Sequence, residues 1–387
     1  MDKSKLRLLK IFYSLNLLVL SIYSFSQIDL NLTLSSNSFY QNFQKQMIYL
    51  GYYNRPLSTF ILTIVIAFLF LHYYLLYRCA KNNILKIKDI IQLVIITCII
   101  LLFSYPAFSY DIFNYIFDAR IFIKYGLNPY QYKALDFPAD SWIRFMHWTH
   151  RTYPYGPVWI IATIPLYLLG FGKFVLTLLN FKLFFIICYL LNINILNKIL
   201  LKLKYENRLA QIAFFAFNPL IIIETIVSPH NDCLMLIGIF IGLYLWLKNR
   251  IVLSYVSLII SGGIKFLSWA IIPILYITKN RHWDFDKLMK IVFISQLVLL
   301  LPIIYIREPY PWYFVTLIGI ASLIKKTKFL IFLTVGLSLG TLSRYLPFIY
   351  FGDYSPTVQQ WQLYLTLSPF AILVGLYLLS SKKYFVD

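Results

Sequence analysis

The sequence predicts an all-α polytopic membrane protein of about twelve transmembrane helices. Three observations carry that prediction. The chain is 60% hydrophobic and only 13% charged, its mean hydropathy is +0.71, and apolar runs near the bilayer-crossing length of about 20 residues recur from end to end. Its basic residues, moreover, come in short clusters that apolar segments separate.

The predicted helices, in order, cover 8–27, 58–77, 89–109, 173–197, 209–228, 232–247, 251–264, 267–279, 291–306, 311–324, 329–347 and 361–380, in a single integral membrane domain, 1–387. The opening "MDKSKLRLLKIFYSLNLLVLSIYSFSQ" has a long apolar part and no A-x-A-like cleavage site, so it reads as a retained first helix rather than a signal peptide. Most of the 35 Lys and Arg fall at 3–10, 78–88, 198–208, 248–250, 279–290, 325–328 and 382–383. The positive-inside rule assigns these loops to the cytoplasm, so the net charge of +20 reports topology, with membrane lipids and no nucleic acid as partners. Keeping every cluster inside requires an even number of crossings between successive clusters and puts both termini in the cytoplasm. The segment "GPVWIIATIPLYLLGFG", 156–172, is then one crossing too many, and reads as a short or re-entrant helix on the outer side with its ends covered by protein. The outer side receives loops 28–57 and 110–155, the latter expected as amphipathic interfacial helices. Cys79, Cys98, Cys188 and Cys233 have neither metal-ligand nor disulfide spacing.

Ionised groups near a bilayer are costly, so those at the outer ends of the helices are the candidates for chemistry. In "SYDIFNYIFDARIFIKYGLNPY", helical spacing puts Asp111, Asn114, Tyr115 and Asp118 on one face; Gly126 suits a C-terminal cap, and Asn128-Pro129 forces extended chain. A solvated amphipathic face is the equal alternative for that pattern. In "FNPLIIIETIVSPHNDCLMLIG", Glu224 stands inside an apolar helix, and His230, Asn231 and Asp232 fill the next turn, where they bind a ligand or simply cap the following helix. Lys265 interrupts "SLIISGGIKFLSWAIIP" beside two glycines, a break where an ammonium meets a phosphate; Arg307 and Arg344 lie on the same side. Arg120, Lys124 and Arg144 serve either substrate or lipid headgroups. Trp312, within "YPWYF", belongs to an aromatic belt that borders a headgroup. Oxygen ligands such as Asp111 and Asp232 suit Mg or Mn, and the sequence does not assign a metal.

The order "SYDIFNYIFDARIFIKYGLNPYQY", "YPYGPVW", "FNPLIIIETIVSPHND", "GGIKFLSWAIIP", "YPWYF" resembles the GT-C membrane glycosyltransferases, in particular the polyprenol-phosphate-mannose type of prokaryotic envelopes, over residues 105 to 315. Those enzymes commonly have arginine where Asn114 stands and glycine where Ala119 stands. The resemblance implies transfer of a hexose, mannose in that type, from a polyprenyl-phosphate donor to an extracytoplasmic glycan or glycolipid acceptor. It assigns the base to the first acid after the third crossing, Asp111; Asp118, two turns on with Arg120 nearby, is the second catalytic candidate, set to hold substrate or orient a cation. The candidate substrate contacts are Tyr115, Arg120, Asn128, Tyr155, Glu224, His230, Asn231, Asp232, Lys265, Arg307, Trp312 and Arg344. The residues bear on this independently: a lipid phosphate is already a good leaving group, so the reaction needs a base and cations but no general acid. No glycine-rich strand-to-helix fingerprint argues for a nucleotide-sugar donor. The competing class is a transporter or flippase, which usually shows repeated halves with broken helices in corresponding positions; none is visible here.

Overall fold

The computed structural model describes residues 3–278 and 283–382, which form helices and connecting turns with no strand among them. In chain order the helices are α1 Lys3–Ser24, α2 Ser38–Ile48, α3 Arg55–Lys81, α4 Ile87–Leu102, α5 Asp111–Tyr125, α6 Pro157–Leu168, α7 Phe174–Lys202, α8 Arg208–Ala216 and α9 Pro219–Ile222. There follow α10 Asp232–Leu247, α11 Ile251–Gly262, α12 Ile271–Thr278, α13 Phe285–Arg307, α14 Val315–Ala321, α15 Lys328–Ser343, α16 Tyr345–Phe351 and α17 Pro356–Lys382.

Each expected apolar segment is helical, but the count of twelve crossings is not met by length and composition. Among the described residues six helical stretches are long and apolar enough, and a seventh if the bent pair Arg208–Ala216 and Pro219–Val227 forms one span. The rest are shorter: α4 and α10 have 16 residues each and α11 has 12, which at 1.5 Å per residue falls short of the roughly 30 Å hydrocarbon core. α4 stops at Leu102 rather than 109 because Pro106 clashes with the carbonyl four residues earlier and biases Tyr105 away from helix. The 51° bend of the pair falls at Asn218-Pro219, where the Asn218 side chain accepts the Leu220 N–H and restarts the helix. A turn of π-helix, Ile223–Val227, follows and carries Glu224. The segment 156–172 is a 12-residue helix, α6, begun by Pro157.

Loop 110–155 is less helical than expected: after α5 it has only the single turns Ala134–Asp136 and Ile143–Phe145. α5 ends at Gly126, whose φ of 66° is the left-handed cap that glycine takes without strain. Asp140 holds the loop together. Its Oδ2 accepts from Arg120 Nε at 2.6 Å, Lys124 Nζ at 2.9 Å and Tyr125 OH at 2.5 Å, and its Oδ1 from Trp142 N at 2.9 Å. Arg120 lies 3.9 Å above the Trp142 ring.

Charge separates along the bundle. α7 begins beside Phe113 and Phe145, both packed on Phe174, and ends at Lys202. At that far end Tyr205 OH and Gln211 Nε2 donate to the carbonyls of Leu323 and Ile324, so the clusters 78–88, 198–208 and 325–328 meet around one cavity that Lys81, Lys204, Lys325 and Lys326 line.

Candidate functional site

Asp111 opens α5, at the helix end where the macrodipole favours a carboxylate. The irregular chain before it is tied down by Phe108 N, which donates to Ser228 Oγ at 2.8 Å, and by Ser109 Oγ, 3.0 Å from His230 Nε2. Tyr155 OH donates to Asp111 Oδ2 at 3.0 Å, and His230 Nε2 stands 3.8 Å from the same oxygen. Lys265 Nζ is 2.5 Å from Asp232 Oδ2 and 5.7 Å from the Tyr155 ring centroid. Two chain breaks meet here backbone to backbone: Gly156 N donates to Ile264 O at 3.0 Å and Val158 N to Gly263 O at 2.9 Å. A Cβ on Gly156 would sit 2.1 Å from Gly263 O, so only glycine permits the approach that sets Tyr155 beside Lys265.

Glu224 and His230 form the second wall. Glu224 Oε1 accepts from Tyr345 OH at 2.9 Å, and Oε2 lies 3.1 Å from His230 Nδ1, too far off axis for a hydrogen bond, so both atoms are buried without one. The His230 ring stacks on Trp312 with centroids 4.1 Å apart, Trp312 stacks on Tyr310 at 4.6 Å, and Arg344 lies 5.2 Å from the Tyr310 centroid. Arg344 is ion-paired with Glu308 and donates to Gln362 Oε1 at 3.3 Å. Asn231 makes no capping bond to α10, and both polar atoms of its buried amide lack a partner. Unpaired buried groups cost about 1–3 kcal/mol each, which capping would have avoided.

The structure thus brings Asp111, Tyr155, Glu224, His230, Asp232, Lys265, Trp312 and Arg344 into one chain of contacts, with Tyr115 against Tyr155 at 5.3 Å. Arg120 and Asn128 lie elsewhere: Arg120 is committed to Asp140 and Tyr167, and Asn128 is exposed and accepts the Tyr130 N–H in a turn. Arg307, exposed at the end of α13, interacts with Tyr313, which packs on Tyr310 and Trp312. Sequence reasoning missed Ser109, Tyr310 and Tyr345, which have no charge to betray them. It also missed Lys182, a fully buried ammonium within α7 that donates to Ser104 Oγ, Ile226 O and Val227 O and so pins both segments that carry the site. A lysine inside an apolar helix was the available signal.

The two acids of α5 differ. Burial pushes the Asp111 carboxyl above its ordinary value, opposed by the Tyr155 hydrogen bond and the Lys265 charge. Asp118 is buried, has no hydrogen-bond or ion-pair partner among the described residues, and is pushed up much further by burial and by Asp111. A raised value favours the protonated fold, so the stability Asp118 contributes is present below the ordinary carboxylate range and lost as pH rises through its folded value. Asp118→Asn is therefore expected to keep transfer activity and to flatten the alkaline decline of the thermal midpoint; an unchanged alkaline slope would contradict this assignment.

Among the described residues no three His, Cys, Asp or Glu side chains gather as a metal-ligand set, and Asp232 is already paired with Lys265.

Comparison with known proteins gives a family model over residues 25–280, described as alpha-(1->6)-mannopyranosyltransferase, N-terminal domain. No curated protein and no solved structure matches. The family model spans more than half of the chain and includes Asp111, Tyr155, Glu224, His230, Asp232 and Lys265, and the chain therefore belongs to the MptA_B family of mannosyltransferases.

Proposed function

We propose that this protein moves mannose from a polyprenyl-phosphate donor to an extracytoplasmic glycan or glycolipid hydroxyl, with Asp111 as the general base. The observation that supports it most is the juxtaposition of Asp111 with Lys265 through Tyr155, whose hydroxyl donates to the carboxylate at 3.0 Å while its ring lies 5.7 Å from the ammonium. The acceptor oxygen attacks the anomeric carbon, its proton passes to Asp111, and the bond from that carbon to the phosphate oxygen breaks. The departing lipid phosphate takes its electron pair towards Lys265, whose ammonium is then shared between Asp232 and the phosphate. Asn231 and the Tyr115 hydroxyl, both without hydrogen bonds and buried, supply donors and acceptors for the sugar.

The test is transfer by the full-length protein in liposomes. Polyprenyl-phosphate mannose is expected to yield mannosylated acceptor and nucleotide mannose none; lipid movement across the bilayer without transfer would favour the flippase reading instead. In the same assay Lys265→Ala is expected to weaken donor use by about tenfold to a hundredfold, as for a lost charge-assisted contact of about 1.5–3 kcal/mol. Unchanged donor dependence would remove Lys265 from the phosphate.

The opposite ends of the bundle support an outward-facing site, with basic loops gathered in the cytoplasm. All four cysteines are buried, so single probes report cleanly. An impermeant thiol reagent added outside is expected to label Leu135→Cys, half exposed in loop 110–155, and to spare Lys204→Cys; the reverse pattern would invert the topology.

A further inference from the structure

On the far face of α5 from Asp111, a cavity of about 480 Å³ opens between loop 28–57, loop 110–155 and the start of α7. Arg144 and Lys173 line it together with Asn31, Thr33 and Ser141, and no carboxylate does. Neither cation has a hydrogen-bond or ion-pair partner among the described residues, and both are exposed. Asp29, two residues before Asn31, is occupied by His147 at 3.0 Å and by Asn31 N at 2.7 Å. The cavity at the basic end differs: Glu206, Asp284 and Asp286 line it along with its lysines, so its charge is largely offset.

Two cations facing uncharged hydrogen-bonding side chains, without an acid, select an anion with several oxygen acceptors, as a phosphate has. What surrounds the cavity makes that anion part of a lipid. α7 is one of the membrane-crossing helices, and from the cavity lip at Val175 its exposed face continues through Leu179, Leu183, Ile187 and Leu191, an apolar stripe at helical spacing. Phe171, 75% exposed, projects beside it. We propose that this cavity is a second lipid site, holding the phosphate of an anionic membrane lipid between Arg144 and Lys173 while the hydrocarbon chain lies along the α7 stripe. The site is independent of the transfer chemistry. It is joined to it mechanically, since Phe145 and Phe174 in its wall pack on Phe113, two residues after Asp111.

The test uses the purified full-length protein in neutral detergent, with phosphatidylglycerol, phosphatidylcholine and inorganic phosphate added separately. Bound lipid is counted by native mass spectrometry and the thermal midpoint is followed. Phosphatidylglycerol is expected to be retained and to raise the midpoint, and Arg144→Gln/Lys173→Gln to bind it about tenfold or more weakly. The charge-matched control Lys198→Gln/Lys202→Gln is expected to bind as the wild type does. If the double variant fails to fold, Lys173→Gln alone is expected to show a severalfold loss. Equal retention by wild type and Arg144/Lys173 variants would overturn the site. A midpoint rise with inorganic phosphate equal to that with phosphatidylglycerol would overturn its assignment to a lipid.

Discussion

Asp111→Asn is expected to lower mannosyl transfer by about 10²–10⁴-fold while expression and donor binding persist, the range typical for loss of a general base. Asparagine keeps an oxygen that accepts from Tyr155 OH, now 3.0 Å away, so the first turn of α5 retains its geometry and only proton acceptance is lost. A base must be ionised to work, and Asp111 is closer to that condition than Asp118: Tyr155 and Lys265 favour its carboxylate against burial, whereas nothing offsets burial at Asp118. The acid limb of the wild-type pH–rate profile is accordingly expected above the ordinary carboxylate range, activity falling as pH drops through the raised value. The measurement is transfer against pH for wild type and both asparagine variants. Robust turnover by Asp111→Asn with an inactive Asp118→Asn would move the base to Asp118 and dismantle the proposed mechanism.

The helices were legible in the sequence because apolar composition in a membrane protein reports directly on burial in lipid or in the bundle. Their lengths were less so: Pro106 shortens α4, and Asn218-Pro219 breaks the span around Glu224, so fewer helices than expected reach a bilayer-crossing length unbroken. The site was legible where charge stands out against apolar surroundings, as at Asp111, Glu224 and Lys265. Function and support could not be told apart by charge alone: Arg120, expected at substrate, is the anchor of loop 110–155. What joins the site across long separations, such as Tyr345 to Glu224 over 121 positions or Gly156 against Gly263, follows from how helices pack and leaves no local pattern to read.

Arg120 sets the second large effect, on stability. Asp140→Ala is expected to destabilise the protein by about 3–5 kcal/mol, because it leaves a buried guanidinium without its counter-ion. The Arg120 side chain is 9% exposed and that of Asp140 is fully enclosed, so water does not replace the lost partner, and the remaining acceptor, Tyr167 OH at 3.0 Å, is neutral. The much more exposed Lys124 adds little, as surface pairs do. Burial alone would raise the Asp140 carboxyl, but hydrogen bonds from Arg120, Tyr125, Trp142 N and Lys124 hold it well below the usual range. A depressed value means that this stability is present above the ordinary carboxylate range and lost as pH falls from there towards the folded value. Thermal unfolding in detergent should therefore show an acid-side decline in wild type that is weaker in Asp140→Ala. Replacing the pair, as Arg120→Met/Asp140→Leu, is expected to recover much of the loss, since the cost lies in the unpaired charge rather than in the absent bridge. Because Arg120 lies on α5 with Asp111, the single variant should also transfer less and the double variant regain activity. An Asp140→Ala midpoint equal to wild type would show instead that packing among Phe113, Phe145 and Phe174 alone holds the base in place.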